Sequence, residues 1–479
     1  MKTSIVIMFF LFSIASHSQN ISQKLDAAVT KLVADSQFKH GTICLFVVES
    51  RTGKIIFDKN SQIGVAPASC QKVITSATAF ELLGKDYSYK TKLGYDGKID
   101  SGVLKGNIYI VGSGDPTLGS WRYSSTKENI ILTEFEKVIK QNKIQQINGI
   151  VLGDDRLWGT QRIPDGWIWQ DIGNYYGAGA SALNWRENQY DLILRSGKKI
   201  GELVKIIATR PKFLPGIHLI NELTSAEKGS GDNTYIYLAP DAETGFIRGT
   251  IPINEDSFVV AGSMPDGGKL LAATIYKDIA SGKVYPDNNI NYLKGKGKWD
   301  QPDTIFYTHI SPPLDSIMYW FLKKSINLYG EVLVKTIAYE KTKSGTTDNG
   351  VKIIRDFWSK KGIERSSLKI IDGSGLSPAN RVTTATLVAI MQYAKDQNWF
   401  SSFYYDLPEI NGIKMKDGYI NGVRSYTGYI KNKEGMEYTF SFIVNNFDGS
   451  PSTVREKMWK VLDILKSVSY THLRAHRPY

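Results

Sequence analysis

Seven residues carry the strongest chemical signal in this 479-residue chain: Ala66-Pro67-Ala68-Ser69-Cys70-Gln71-Lys72. A serine hydroxyl becomes a useful nucleophile when a base stands within hydrogen-bond reach of its proton. A lysine three residues further along a helix shares the serine's face. Pro67 breaks whatever precedes it. Val73, Ala77 and Phe80 then recur at helical spacing as far as Gly84. The free N–H groups of a helix start also favour a developing oxyanion. The chemistry implied is acyl transfer through a serine ester, with Ser69 as nucleophile and Lys72 as base. The spacing Ser-x-x-Lys is weak by itself. It also begins at Ser36, Ser124, Ser196, Ser225 and Ser366, where a surface accident is the simpler reading. Only the copy at Ser69 opens an apolar helix after a proline break.

Partners must therefore come from elsewhere. Ser325-Ile326-Asn327 separates two apolar helices, one starting after Ser311-Pro312-Pro313 and one running from Leu328 to about Tyr339. Short polar residues at such a break can project into a cleft, although a plain helix break has the same appearance. Lys416-Asp417-Gly418 opens a strand-like run towards Ile430. The loop Asp372–Arg381 lies between a strand, 368–371, and a helix capped by Thr383 or Thr384, a place where function concentrates. Asp154-Asp155 is a carboxylate pair, but adjacent acids more often cap turns or face solvent.

The elements that must position these residues follow from periodicity. Residues 21–36 read as an amphipathic helix, and 41–50 and 54–58 as a hairpin around Arg51-Thr52-Gly53-Lys54. After Gly84 the texture becomes short strands and Gly/Asp/Pro turns, with one helix over Glu128–Gln141. Helical texture returns at 268–279. Near the end, 426–430 and 438–445 form a hairpin around Asn432-Lys433-Glu434-Gly435, and 453–466 is an amphipathic helix. The fold class expected is α+β: an antiparallel sheet built from both ends of the chain, flanked by helices, with a large β-rich insertion. The expected boundaries are 1–18 for a signal peptide, 19–90 with 263–468 for a discontinuous core, 91–262 for the insertion (one or two subdomains) and 469–479 for an irregular tail.

Composition bounds the setting. Hydrophobic residues make up 42% and charged residues 22%, an ordinary globular balance. Lys2, an apolar run from Ile5 to Ile14, and Ala15-Ser16-His17-Ser18 have the layout of a secretory signal. That run is too short for a stable membrane anchor, so an exported protein, periplasmic or extracellular, is expected. The net charge of +12 favours anionic surroundings, with peripheral membrane or wall association as the consequence. No nucleic-acid recognition motif accompanies it. Two cysteines, Cys44 and Cys70, are too few for a disulfide framework and read as buried small residues. None of the six histidines has a metal-ligand spacing, and the chemistry needs no cofactor.

Ser69-x-x-Lys72, Ser325-x-Asn327 and Lys416-x-Gly418, in that order, resemble the three motifs of penicillin-binding proteins and serine β-lactamases. The long insertion, the 112–118 stretch, the 372–383 loop and the 422–428 stretch narrow the resemblance to the type-4, class C low-molecular-mass penicillin-binding proteins, which are D-alanyl-D-alanine carboxypeptidases and endopeptidases. The resemblance implies a transpeptidase-like fold, peptidoglycan stem peptides as substrate and β-lactams as covalent inhibitors. It implies that Ser325 relays a proton to the leaving amine, that Asn327 and Lys416 hold substrate, and that the N–H groups of Ser69 and Tyr419 form the oxyanion hole. At Asp417 the family usually has Thr or Ser. A hydroxyl there would donate to the substrate's terminal carboxylate, which an ionised Asp417 repels. Two rival readings remain at this stage: a β-lactamase of related fold, and a wall-binding homologue with impaired catalysis.

Overall fold

The computed structural model describes residues 21–279, 290–293 and 301–467; the expected signal peptide and tail lie outside the described residues. Successive side chains of a strand point to opposite faces, so a strand covered on both sides feeds two cores. Strand β1 (Thr42–Glu49) does this: Ile43, Leu45 and Val47 enter one core and Cys44 the other. With β2 (Ile55–Lys59) it forms the expected hairpin. Helix α1 (Ile21–Val33) precedes the hairpin, and α2 (Lys72–Leu83) follows it.

The next segment forms its own layers. Strands β3 (Lys90–Tyr95), β4 (Ile108–Val111), β5 (Val151–Asp154), β6 (Ile290–Leu293) and β7 (Thr304–Ile310) make a mixed sheet in the order β6-β5-β4-β3-β7. Helices α3 (Glu128–Gln141) and α4 (Gly267–Ile279) pack with it. The expected end of the insertion at residue 262 is therefore corrected to about residue 310. β7 pairs antiparallel with β3, and β6 parallel with β5. Leu270, Leu271 and Ile275 of α4 are buried with Phe135, Ile139 and Leu192, in a core separate from that around α2. The periodicity of α4 is that of any core helix; only long-range contacts say which core takes it.

After β7 the chain re-enters the first core through α5 (Leu314–Lys323), α6 (Asn327–Thr342), α7 (Thr347–Lys360), α8 (Thr384–Lys395) and α9 (Phe400–Asp406). Four strands follow: β8 (Glu409–Ile410), β9 (Ile413–Ile420), β10 (Val423–Lys431) and β11 (Glu437–Asn445), and then helix α10 (Pro451–Ser467). The central sheet runs β2-β1-β11-β10-β9-β8, antiparallel throughout. β1 pairs with β11 from Thr42↔Asn445 to Glu49↔Tyr438, which joins the two ends of the chain. Leu25 and Val29 of α1 and Met458 and Leu462 of α10 cover one face. Truncating Leu25, Met458 or Leu462 to alanine would cost about 2–5 kcal/mol. Helices α2 and α5–α9 cover the other face. Helix α2 is buried on every side from Lys72 to Phe80, the burial of a helix enclosed by sheet and helices.

Candidate active site

Ser69 sits in a 3₁₀ turn, Ala68–Gln71, which feeds α2 at Lys72. The residue before it, Ala68, is held at φ 45°. That is left-handed backbone in a residue with a Cβ, a strain of about 1–2 kcal/mol that surrounding contacts must hold. Ser325 is held the same way at φ 56°, at the break between α5 and α6.

The Lys72 Nζ lies 2.9 Å from Ser69 Oγ, 2.7 Å from Asn327 Oδ1 and 2.7 Å from the Ser374 carbonyl oxygen. Lys72 is completely buried. Burial, with the Lys416 charge second, brings its pKa from the ordinary 10.5 down to about 7, against the pull of Asp372, Glu331 and Asp417. A neutral amine has two N–H donors and one lone pair. Asn327 Oδ1 and the Ser374 carbonyl can only accept, so they take both donors. The lone pair is left for the Ser69 hydroxyl.

Two buried carboxylates set the loop that supplies the Ser374 carbonyl. Glu331, on α6, accepts from the N–H groups of Gly373 at 3.0 Å and Ser374 at 2.9 Å. Burial, and then the neighbouring Asp372 charge, push its carboxyl up to about 8. Asp372 Oδ1 accepts from Gln71 Nε2, Gly375 N and Asn380 Nδ2, and Oδ2 from Trp167 Nε1 and Ser377 N, at 2.7–3.0 Å. Sequence reasoning marked this loop but missed Glu331. On an apolar helix its one signal was an acid inside a buried stripe.

The third stretch approaches along an open sheet edge. β8 pairs only with Ile413 and Lys414, so among the described residues no strand lies beyond 415–420 on that side of β9. Gly418 is needed for the approach: a Cβ there would stand 2.7 Å from Ser69 N and 2.3 Å from Ser425 Oγ. Lys416 is 1% exposed, and its Nζ donates to Asp417 O at 2.7 Å and to Asp417 Oδ1 at 3.0 Å. Burial opposes ionisation of Asp417, but the Lys416 charge, with its hydrogen bond and Arg424, outweighs it and holds the carboxyl below its usual range. Cys70 and Cys44 are both buried and free; the Cys70 thiol donates to the Lys416 carbonyl at 3.2 Å.

These parts surround a crevice of about 360 Å³. Ser69, Ser325, Asn327 and Tyr419 line it together with Tyr175 and Tyr176. The two tyrosines belong to the inserted region, and no motif pointed to them. Asn327 Nδ2 already donates to the Tyr176 carbonyl at 2.8 Å, so both ends of that amide are engaged within the protein. Lys72 lies beneath the crevice wall, and Asp417 is not part of its lining. Asp154 and Asp155 are not brought here. They pair with Arg156 and Arg162, at 2.6 and 3.1 Å.

A hydroxyl beside a desolvated lysine amine, opening on a crevice with an unpaired strand edge, is the equipment of a serine hydrolase that acylates itself. Residues 25–465 match the D-Ala-D-Ala carboxypeptidase 3 (S13) family; the chain belongs to it and is a serine-type carboxypeptidase. It is 24% identical over 457 residues to a D-alanyl-D-alanine carboxypeptidase of Actinomadura sp. (strain R39), covering 88% of this chain and 81% of the relative. It is also 24% identical over 416 residues to the D-alanyl-D-alanine carboxypeptidase DacB of Haemophilus influenzae, covering 82% and 83%. The crystal structure of penicillin-binding protein 4 from Haemophilus influenzae has the same fold, with a TM-score of 0.74 at 20% identity over 92% of this chain and 99% of that one.

Proposed function

We propose that this enzyme cleaves peptidoglycan stem peptides through an ester on Ser69, with Lys72 as the base. The arrangement of Lys72 supports this best: two obligate acceptors occupy its N–H groups, and its lone pair is left facing Ser69 Oγ at 2.9 Å. Ser69 Oγ attacks the carbonyl of the penultimate D-alanine while its proton passes to Lys72. The tetrahedral oxyanion is held by the N–H groups of Ser69 and Tyr419. Ser325 carries the proton on to the leaving amine, and the C–N bond breaks. Water then attacks the ester, Lys72 again takes a proton, and Ser69 is restored. Asn327 holds Lys72 in place and offers its second Nδ2–H to the substrate, and Lys416 supplies positive charge at the substrate end. β-Lactams acylate Ser69 by the same route and stay attached; a crystal structure of the Haemophilus influenzae relative is in complex with a β-lactam. Residues 1–18 direct export, which places the enzyme where peptidoglycan lies. Among the described residues no helix is long and apolar enough to cross a membrane, and the +12 charge favours peripheral contact with wall or membrane.

Labelled benzylpenicillin tests the assignment. It should attach covalently to the wild-type protein and not to Ser69→Ala, whose melting temperature should be unchanged. Labelling that survives the substitution would remove Ser69 from the reaction. Muropeptide digestion read by mass spectrometry then separates removal of terminal D-alanine from cutting of cross-links.

A further inference from the structure

A second cleft, of about 570 Å³, lies between α5 and α9 on the outside of the first core. Its walls include Tyr123, Asp315, Tyr319, Trp320, Tyr405 and Asp406. Tyr319 and Tyr405 stack with ring centroids 5.8 Å apart and 27° between planes, and Trp320 stands edge-on to Tyr319 at 5.1 Å. Tyr405 is 65% exposed, so one face of this aromatic group is open to a guest in the cleft. Below the rings, Asp406 is 3% exposed and its Oδ2 has no hydrogen-bond partner; Asp315 Oδ1 is likewise buried and without one. Polar atoms left unmet at the base of an open cleft cost about 1–3 kcal/mol each, and water or a guest entering the cleft can meet them.

The charges nearby say what kind of donor. Lys323 and Lys414 act on Asp406 electrostatically and donate to the Leu407 carbonyl at 3.4 and 3.2 Å. Two amines already stand beside the two acids, so the cleft does not call for another cation. Burial, with Asp315 second, pushes the Asp406 carboxyl up to about 8, which also favours a neutral guest. A neutral guest with several O–H or N–H donors on one side and an apolar C–H face on the other is a sugar ring. Aromatic faces suit the C–H side, and carboxyl oxygens take the hydroxyls.

We propose that the α5/α9 cleft binds an N-acetylated hexosamine unit of a glycan strand, through stacking on Tyr405 and Trp320 and hydroxyl donation to Asp315 and Asp406. This rests on the reading that the Ser69 crevice acts on stem peptides, which such strands carry. Asp315 lies about 12 Å along α5 from its last residue, Lys323, and Ser325 follows two residues further on. One polymer can therefore reach both places.

The test has two arms. In the first, Ser69→Ala protein is titrated with the N-acetylglucosamine tetramer by calorimetry and tryptophan fluorescence. Saturable binding is expected, weakened roughly tenfold by Tyr405→Ala and by Asp406→Asn. In the second, wild type and Tyr405→Ala are compared on intact peptidoglycan and on a sugar-free stem pentapeptide. KM on the polymer should rise roughly tenfold while turnover of the free peptide is unchanged. Absence of saturable binding, binding that both variants leave intact, or equal losses on polymer and peptide would each overturn the proposal. The titration uses protein without its nucleophile hydroxyl. A failure of the acyl-transfer reading would leave it standing, and a failure of sugar binding would leave penicillin labelling intact.

Discussion

The pH dependence of Ser69 acylation tests the environment of Lys72 directly. An ordinary lysine at pH 7 is neutral in roughly one molecule in 3,000, because its pKa lies near 10.5. At a pKa of about 7, half the molecules carry the base form. The difference corresponds to roughly 5 kcal/mol against the buried cation, with burial as its main source and the Lys416 charge second. Acylation by benzylpenicillin, followed by stopped flow from pH 5.5 to 9.5, should rise with pH, pass half-maximum near 7 and level off. The sign follows from the chemistry: protons bind Lys72 as pH falls and remove the base. Lys416→Met takes away a like charge, so the protonated form becomes easier and the half-point must move up. Asp372→Asn takes away an opposing charge, and the half-point must move down. Lys416 is also proposed to meet substrate, so its loss lowers the rate at every pH; the position of the inflection is the diagnostic. A wild-type half-point above 9, or an inflection that ignores both substitutions, would refute the reasoning.

Asp417→Thr should raise carboxypeptidase turnover on a stem pentapeptide several-fold, because it removes a negative charge that now engages Lys416 at 3.0 Å; steady-state release of D-alanine measures it, and a fall would reverse the reading of that position. Gly418→Ala should lower acylation by roughly 100-fold, since the added methyl meets Ser69 N at 2.7 Å, a backbone atom that cannot swing aside. Its stability to urea should fall by about 1–3 kcal/mol, and normal acylation would show that β9 can shift freely. Asp372→Ala should cost about 3–5 kcal/mol in urea unfolding, because five donors lose their acceptor; a loss under about 1 kcal/mol would mean water replaces the carboxylate.

The parts of the molecule legible in the sequence were those whose signal is local. Ser69, Lys72 and the break at Ser325 announce themselves through short spacings and helix punctuation. Helix 128–141 and the strands of the central sheet carry clear periodicity. What could not be read depends on which distant surface a segment meets. Helix α4 has an apolar stripe that either core could have taken. Glu331 looks like an ordinary polar residue on a helix until the 372–375 loop is folded over it. Tyr176 contributes a backbone carbonyl, and a carbonyl leaves no mark on sequence. Asp417 was expected to confront the substrate carboxylate. Its carboxylate instead engages Lys416, its own chain neighbour, a pairing that spacing alone does not distinguish from an outward-facing acid.

The carbonyl of Tyr176 meets Asn327 at the crevice, and the indole of Trp167 meets the buried Asp372 behind it, both from the inserted region. The nucleophile's own layer therefore cannot finish itself. Asn327 and the Asp372 loop, which between them hold Lys72, are braced by a segment more than ninety residues downstream of Ser69, so the site is completed by two cores meeting and not by one of them alone.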